Sequence, residues 1–514
     1  MAGLNNKDIA RVFREIEILM GVLGDDARRA MNYGRTSRLL EGLDQSVADL
    51  AAAGKLTDVK GIGPAIQQAV GEILDTGTCT LRDELAARLE PGVLDILRVP
   101  GLGPKKVNVV VNELGVTSLQ ELETAAVDGR LAQVKGFGAK SAQKVLEGIA
   151  FLRKTMGLVR IDRAYEIAAA LELDRYEVAG EARRGVPISE TVVVVAVGEP
   201  ALHEEPGLRV RTVAESDFAR ALFEETGPAE HVASVLAREG TDGSEEEIYA
   251  SRGLHFIPPE RRHVLDGTTE PGPLVTVDDL KGMVHTHTTW SDGTLDIAGM
   301  ADAAHARGYE YLVISDHSRA AAYAGGLPIE RLREQGEAIR AFNANGHPVR
   351  VLHSNEVDIL PDGTMDYPDE VLAELDLVIA SVHSSFGQEP EVVTERVLRA
   401  VRHPHVHIMG HVTGRLLGRR DGYAVDVDRV LEAAAESGTC VELNASPWRL
   451  DLDPSWHARA VELGIGVPID PDAHAAEGMD DNHWGVRAAR HGGLRPEDVP
   501  NTLDGDGFLE RLRT

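Results

Sequence analysis

The spacing of apolar residues divides the 514-residue chain into two kinds of sequence. Near the start, apolar side chains recur every three or four positions, as at Ile9, Val12 and Ile16, and this spacing predicts amphipathic helices. From residue 278 onward, short apolar runs such as 311–314 (Tyr-Leu-Val-Ile) alternate with helical segments. Repeated strand–helix units predict a parallel α/β barrel. We therefore expect a helical front part and a barrel at the rear.

A glycine motif occurs three times in the helical part, as Lys-Gly-Ile-Gly-Pro at 60–64, Pro-Gly-Leu-Gly-Pro-Lys-Lys at 100–106 and Lys-Gly-Phe-Gly-Ala-Lys at 135–140. Each copy precedes an amphipathic helix, and its glycines allow a tight turn whose amides, with the helix N-terminus, point at an anion. A single copy is equally well explained as a plain turn between helices. Three copies, 40 and then 35 residues apart, favour a shared role. The candidate phosphate-binding residues are Gly61, Gly63, Gly101, Gly103, Lys105, Lys106, Gly136, Gly138 and Lys140.

The predicted strands of the rear part end in polar clusters. His285 and His287 alternate along one strand and so point to one side, and Asp292 follows a turn closed by Gly293, a residue free to take a positive φ. The carboxyl ends of barrel strands meet on one face, so residues scattered in sequence converge there. Nine residues stand at such positions: His285, His287, Asp292, His317, Glu356, His383, His411, Asp472 and His474. Imidazole and carboxylate ligands together suit zinc, manganese or iron better than magnesium alone.

The charge is unevenly distributed. Residues 1–160 hold 21 Lys and Arg against 20 Asp and Glu, whereas the remainder holds 32 against 63. We therefore expect nucleic-acid contacts mainly in the front part, and bound cations offsetting the acidity of the rear. Only Cys79 and Cys440 are present, which excludes a disulfide framework and a cysteine zinc site. The start of the chain lacks the apolar core of a signal peptide and no apolar run is long enough for a membrane span, so we expect a cytoplasmic monomer.

The glycine motifs resemble the helix-hairpin-helix repeat, and residues 1–155 resemble the N-terminal domain of family X DNA polymerases. That resemblance implies sequence-independent contacts to the DNA backbone, at gapped or 3′ ends, and association with the nucleoid when bound to DNA. Residues 156–268 should then be a small α/β nucleotidyltransferase-like palm. The segment 180–185 resembles the family's Gly-Ser-x-Arg-Arg turn, with Glu181 in place of serine and with Arg183 and Arg184 as either phosphate contacts or structural residues.

The metal-binding carboxylates of the palm are missing. The positions that match the family's Asp-x-Asp pair hold Thr191 and Val193, and a third matches Arg209 by a looser alignment. Two-metal phosphoryl transfer needs carboxylates that hold the ions. We therefore expect a trimmed palm fold that no longer polymerises DNA.

The nine rear residues resemble, position for position, the metal constellation of the polymerase and histidinol phosphatase (PHP) superfamily. This resemblance implies a distorted (β/α)7 barrel over residues 278–514 with up to three divalent ions, Mn²⁺ or Zn²⁺ or iron. Phe386, Gly414-Arg415 and residues 444–447 also match the version fused to bacterial family X polymerases. Glu356 is then an ion-bridging catalytic carboxylate, Arg415 a bidentate phosphate contact, and Asn444 a substrate or supporting group.

Four functions remain open. The first is a metal-dependent DNA phosphoesterase of DNA repair, acting as a 3′-5′ exonuclease, a 3′-phosphatase or a nuclease at abasic sites. The second is a gap-filling polymerase with proofreading, which the missing palm carboxylates disfavour. The third is a small-molecule phosphatase of the histidinol-phosphate type, for which the three hairpins would have no use. The last is a DNA-binding scaffold with a structural metal, disfavoured because structural zinc sites normally close with four ligands.

Overall fold

The computed structural model describes residues 4–43, 45–198 and 206–512. The chain forms two compact units, Met1–Met156 and Gly157–Thr514. The predicted middle and C-terminal domains thus lie in one compact unit, and the division at residues 268–278 remains a prediction.

The first unit is all-helical. Its cores are built from the apolar faces of amphipathic helices, with Phe13, Ile16 and Val107 fully buried. Its α-helices are α1 (Asn6–Leu23), α2 (Ala27–Glu41), α3 (Val47–Ala52), α4 (Pro64–Thr76), α5 (Thr80–Ala87), α6 (Pro91–Ile96), α7 (Pro104–Leu114), α8 (Leu119–Val127), α9 (Arg130–Gln133) and α10 (Ala139–Thr155), with a 3-10 turn at Leu56–Asp58.

The second unit begins with a small α/β part. In its three-stranded sheet the central strand pairs antiparallel with one neighbour and parallel with the other. Its strands are β1 (Val159–Arg160), β2 (Arg175–Ala179), β3 (Ile188–Ser189), β4 (Val192–Val197) and β5 (Leu208–Val213), and its helices are α11 (Ile161–Ala169), α12 (Gly180–Arg183), α13 (Phe218–Thr226), α14 (Ala229–Leu236) and α15 (Glu245–Ala250). The sheet order is β2-β4-β5, while β1 pairs with β3.

The rest of the second unit is a parallel barrel. Its strands are β6 (Gly282–Thr286), β7 (Tyr311–Ile314), β8 (Arg350–His353), β9 (Glu356–Asp358), β10 (Ile379–Ser381), β11 (Ile408–Met409), β12 (Cys440–Val441), β13 (Leu443–Asn444) and β14 (Ile469–Asp470). Short interruptions separate β8 from β9 and β12 from β13, so the nine segments form seven strands. Each strand pairs parallel with the next.

A parallel bridge between Thr286 and Ala473 joins the last strand to the first. It is secured by the amide of His287 donating to Ala473 O at 2.8 Å and the amide of Ala473 donating to His285 O at 3.1 Å. The pairings therefore close a seven-stranded barrel, which confirms the predicted (β/α)7 fold. Around it lie α16 (Ile297–Ala306), α17 (Ile329–Ala344), α18 (Asp369–Leu372), α19 (Pro390–Val401), α20 (Val427–Ser437), α21 (His457–Glu462), α22 (Asn482–Gly492) and α23 (Gly505–Arg511).

The small α/β part packs on α22 of the barrel. Arg490 pairs with Glu260 at 2.7 Å, Arg261 donates to His491 O at 2.7 Å, and His491 Nδ1 donates to Arg184 O at 2.7 Å. These bonds are half-buried, and the apolar core runs from the first sheet into the barrel. The two parts therefore form a single folded body.

Candidate metal centre

The barrel brings all nine predicted metal-ligating residues together at the carboxyl ends of its strands. Glu356 lies at the centre. Its Oε1 is 2.9 Å from His411 Nε2 and 3.1 Å from His383 Nε2, and its Oε2 is 2.9 Å from His317 Nδ1. The ring nitrogens of two further histidines, His285 and His287, approach the same carboxylate to 3.5 and 3.8 Å. One carboxylate thus contacts five imidazoles.

Asp472 and Asp292 organise the two other parts of the centre. Asp472 Oδ1 lies 3.1 Å from His287 Nε2 and 3.8 Å from His285 Nε2. Asp292 Oδ1 lies 3.4 Å from His474 Nε2 and 3.6 Å from His317 Nε2. Two ligands about 2.1 Å from one ion in tetrahedral geometry are about 3.4 Å apart. These separations are therefore of the size that a shared ion requires.

Three overlapping groups of the predicted residues have ligand atoms within 4.8 Å of one another. They are His285, His287 and Asp472; His287, Asp292, His317 and His474; and His317, Glu356 and His383. His411 joins the last group through its contact with Glu356. The side chains of His285, His287 and Glu356 are buried, whereas those of Asp292 and His474 are 35% and 38% exposed. The centre is therefore open to solvent on the Asp292 and His474 side.

Unpartnered buried atoms show that the residues fit divalent ions. His285 Nε2, both ring nitrogens of His287, Glu356 Oε2 and Asp472 Oδ1 are buried without a hydrogen-bond partner. Such groups are costly to bury unless they bind something. Their imidazole and carboxylate chemistry is that of zinc, manganese and iron ligands. The number and identity of the ions remain predictions.

The pKa values show how strongly the centre depends on charge pairing. Burial raises the pKa of Glu356, but the charges of His383, His285 and His317 together outweigh burial. The pKa of this carboxyl therefore lies well below its ordinary value. Burial lowers the pKa of His383, but Glu356 and Asp358 raise it to about 10. His287 differs, because burial and then the charge of His474 lower its pKa to about 4. His287 is therefore neutral, the form that binds metal, whereas ion binding must displace a proton from His383.

The local backbone explains how the first strand presents its residues. His285 and Asp472 have φ of 52° and 55°, a left-handed conformation that costs a non-glycine residue about 1–3 kcal/mol. The pairing of β6 with β7 is irregular between Met283 and Thr286, which brackets His285. Gly293 does not have the positive φ that we expected. It is required because a Cβ there would lie 2.3 Å from His287 O.

Two buried carboxylates behind the centre were not among the predicted residues. Glu442 Oε1 accepts a hydrogen bond from His285 Nδ1 at 2.7 Å, and Asp470 Oδ1 lies 3.6 Å from the same nitrogen. Burial and the charge of Glu442 raise the pKa of Asp470 well above its ordinary value. The signal was present in the sequence, since Glu442 is a charged residue inside the apolar run 440–443. A carboxylate that holds Nδ1 leaves Nε2 of His285 free to bind an ion.

The two other predicted catalytic residues lie in different surroundings. Asn444 is buried, and its Nδ2 donates to Asp472 Oδ2 at 3.4 Å and to Glu442 Oε1 at 3.3 Å. Arg415 donates to Arg449 O at 2.8 Å and to Leu450 O, and its guanidinium pairs with Asp453. These contacts occupy three of its nitrogens, so the geometry offers no support for bidentate phosphate binding by Arg415.

Arg449 faces the centre instead. Its Nε lies 3.9 Å from Asp472 Oδ2. Arg415 supports the backbone that carries this side chain. Arg449 was not among the predicted residues, although it follows the polar end of a strand, residues 444–447.

The three glycine motifs of the first unit have the same backbone form. Gly61, Gly101 and Gly136 have φ of 105°, 82° and 92°, and each is followed two residues later by the N-cap glycine of α4, α7 or α10. Neither Gly63 nor Gly138 has any atom within 4 Å of an added Cβ. The predicted residues of the three motifs therefore form open turns at helix N-termini, which suits an anion.

The lysines of these turns differ. Lys105 and Lys140 are exposed at the starts of α7 and α10. Lys106 Nζ donates to Gly101 O at 3.2 Å and lies 5.7 Å from the ring centroid of Phe137. Lys105 and Lys140 are therefore the better candidates for phosphate contacts.

The palm positions that match the family's metal-binding carboxylates lie on or next to β4 and β5. Val193 pairs with Arg209 across β4 and β5, and a Cβ on Gly180 would lie 3.0 Å from Val193 Cγ2. Thr191 lies two residues before Val193, immediately before the start of β4. Arg209 pairs with Glu225. Groups of three or more histidine, cysteine or carboxylate side chains that could hold an ion occur among the described residues, but none of them includes these positions.

Arg183 and Arg184 make structural contacts. Arg183 donates to Thr226 Oγ1 at 2.7 Å and pairs with the buried Glu245, and Arg184 donates to Thr226 O. Both arginines therefore bind neighbouring residues of the same small α/β part.

Comparison with known proteins agrees with this arrangement. Family models match at residues 4–79 (helix-hairpin-helix domain), 93–150 (SAM-like helix-hairpin-helix tandem) and 283–446 (PHP domain). The chain is 33% identical to the DNA polymerase/3′-5′ exonuclease PolX of Bacillus subtilis, over 99% of this chain and 100% of that protein. A probable phosphatase of Caldanaerobacter subterraneus is 30% identical over 37% of this chain and 74% of its own length.

Fold and site together define a helix-hairpin-helix protein with a PHP barrel. The chain belongs to the bacterial family X DNA polymerases that carry a C-terminal PHP domain. At that level the comparisons support a DNA-processing phosphoesterase with a centre that could bind metal ions. No helix of the described residues is long and apolar enough to cross a membrane.

Proposed function

We propose that the protein is a metal-dependent DNA phosphoesterase of DNA repair that acts on 3′ ends, as a 3′-5′ exonuclease or a 3′-phosphatase, and that its palm does not polymerise DNA. The observation that carries the proposal is the convergence of nine imidazole and carboxylate ligands at one mouth of the barrel around Glu356. The B. subtilis relative is named a polymerase and a 3′-5′ exonuclease, and the name supports 3′-5′ exonuclease activity for this chain.

The residues of the centre have distinct roles in this proposal. Glu356 can bridge ions, because its two oxygens face different imidazoles. Glu442 and Asn444 orient His285 and Asp472 through hydrogen bonds. When bound, divalent ions would activate water near neutral pH and neutralise the phosphoryl oxygens. Exonucleolytic hydrolysis would break the P–O3′ bond next to the last nucleotide and release a nucleoside 5′-monophosphate.

The palm contributes binding without catalysis in this proposal. A threonine, a valine and an arginine replace the carboxylates that two-metal polymerisation needs. Arg209 supplies a positive charge at that position and is itself paired with Glu225. The helix-hairpin-helix turns of the first unit would hold the DNA backbone without reading its sequence.

The test incubates the metal-loaded full-length protein with 3′-labelled single strands, a gapped duplex with dNTPs, a 3′-phosphorylated strand and an abasic duplex. We expect loss of the 3′ label with Mn²⁺ or Zn²⁺ and no primer extension. His287→Ala, Glu356→Ala and Asp472→Ala should each abolish hydrolysis, since residues acting as one unit cost nearly as much singly as together. Template-directed extension by the wild type would overturn the inactive palm.

A small-molecule phosphatase is the second candidate function. The relatives that match less than half of this chain are named probable phosphatases, including one from Thermoanaerobacter at 26% identity over 42% of this chain. If the wild type hydrolyses histidinol phosphate or a similar monoester but none of the DNA substrates, this function replaces the first.

A further inference from the structure

An exposed aromatic residue stands at the mouth of the metal centre. Tyr323 is 75% exposed, and it is the only aromatic among the exposed large hydrophobic side chains of the described residues. Its ring centroid lies 6.4 Å from that of His317. Partial burial of the phenol, and then the charges of Asp358, Glu356 and Asp292, raise its pKa to about 12. Single exposed apolar residues are common on protein surfaces, so its position beside the ligands is what gives it meaning.

The loop that carries Tyr323 is firmly held. Ala321 and Ala324 on either side are 1% and 3% exposed. The amide of Leu327 donates to His317 O at 2.8 Å, and that of Gly326 donates to Ala321 O at 3.2 Å. The backbone is therefore buried and bonded while the ring projects into solvent. A rigid aromatic of this kind provides a stacking surface at low entropic cost.

One arginine, Arg449, lies at the Asp472 part of the centre, and a second, Arg420, lies near it. Arg449 lies beside Asp472, and its charge also acts on Tyr323. Arg420 lies close enough for the charge of Arg449 to lower its pKa, after the larger effect of burial, and its guanidinium is 4.6 Å from the ring centroid of Phe386. One nitrogen of Arg420 donates to Gly414 O at 2.7 Å, but no carboxylate of the described residues lies within ion-pair distance of this arginine. Residues 161–514 contain 63 acidic and only 32 basic side chains, so an arginine without a paired carboxylate in this part of the chain suits an anionic ligand.

We propose that Tyr323, Arg449 and Arg420 form a subsite for the 3′-terminal nucleotides of a single DNA strand, with the terminal base stacked on Tyr323 and the backbone phosphates at the two arginines. The inference rests on the proposed function and adds the part of the substrate that the mouth of the centre recognises. Stacking on an aromatic ring is tolerant of sequence, because every base has a π-face.

The experiment compares two oligonucleotides that differ only at the 3′ end, one with thymidine and one with a tetrahydrofuran abasic nucleotide. Both oligonucleotides present the same sugar-phosphate backbone to the hairpins. The ratio of the two kcat/KM values therefore measures the contribution of the terminal base alone. We expect the full-length wild type to prefer the thymidine end by about tenfold or more, as base stacking supplies. Tyr323→Ala should remove this preference, and Tyr323→Phe should keep it because the ring remains.

The outcomes separate the inference from the proposed function. Hydrolysis of the DNA ends by the wild type with equal rates for the two substrates would overturn the stacking subsite and leave the phosphoesterase intact. A base preference that Tyr323→Ala leaves unchanged would overturn it as well. No hydrolysis of either DNA end, with ions bound, would contradict the proposed function itself.

The arginines are tested with Arg420→Gln. We expect a several-fold rise in KM for both oligonucleotides with an unchanged ratio between them. Arg333→Gln is the matched control, because Arg333 is an exposed arginine of the same unit that pairs with Glu374 at 2.6 Å. An equal KM in Arg420→Gln and Arg333→Gln would remove Arg420 from the subsite.

Discussion

Substitution of Glu442 by glutamine should weaken ion binding while the protein stays folded. Glu442 accepts hydrogen bonds from His285 Nδ1, from the backbone amide of His411 and from Asn444 Nδ2. Glutamine has nearly the same volume but only one acceptor oxygen, and its amide group donates. At least one of the three donors must therefore lose its partner.

The size of the effect follows from the hydrogen bond with His285. A hydrogen bond to a charged group contributes about 1.5–3 kcal/mol, and a buried donor left without a partner costs about 1–3 kcal/mol. At about 1.36 kcal/mol for each factor of ten, this corresponds to roughly a 10- to 100-fold loss of affinity. Substitutions of groups that orient metal-binding histidines fall in the same range.

The assay is calorimetric titration of the metal-free full-length protein with Mn²⁺ or Zn²⁺, with circular dichroism to verify the fold. Glu374→Gln is the control, since Glu374 is an exposed glutamate paired with Arg333 on the same unit. At saturating metal, the Glu442→Gln protein should release the 3′ label at part of the wild-type rate. Affinity within about twofold of wild type in a folded Glu442→Gln protein would refute the role of this hydrogen bond, which by the range above is worth at least tenfold.

Two further predictions concern other parts of the molecule. Lys105→Glu combined with Lys140→Glu should weaken DNA binding and reduce its salt dependence. The slope of log affinity against log salt should fall by about 0.9 for each phosphate that is no longer neutralised. Lys154→Glu, at the far end of α10, is the control, and an unchanged slope in the double variant would remove both lysines from the interface. Burial lowers the pKa of His231 from 6.5 to about 4 in the folded protein. As the pH falls, the unfolded chain therefore binds a proton before the folded protein does. The stabilisation of the folded state by neutral His231 is complete above pH 6.5 and is lost as the pH falls to 4. The loss from this group is about 3 kcal/mol, and denaturant titrations at about pH 7.5 and about pH 4.5 should show a smaller pH effect in His231→Gln than in the wild type.

Local pattern was enough to predict the elements of this protein. The glycine motifs at 60–64, 100–106 and 135–140 predicted hairpins because a positive φ at the first glycine is a property of the turn itself. Strand–helix alternation predicted the barrel because parallel strands need helical crossovers. The convergence of nine scattered ligands followed from the rule that barrel strands present their carboxyl ends on one face.

The tertiary structure decided which groups act on one another. Arg415 and Arg449 carry the same charge, and the sequence does not distinguish their roles. The course of the loop at 449–453 places backbone carbonyls and Asp453 against Arg415 and places Arg449 beside Asp472. Glu442 reads as part of a buried strand, and only barrel closure places it on His285.

Tyr323 illustrates the same limit from the surface. Its sequence neighbours are alanines and a glycine, and nothing in that pattern distinguishes a core tyrosine from an exposed one. Sequence by itself predicted the elements and the nine candidate ligands, because backbone conformation and strand ends depend on nearby residues. Hydrogen-bond partners, burial and the open side of the centre depend on residues far apart along the chain, and so they were decided only when the barrel closed.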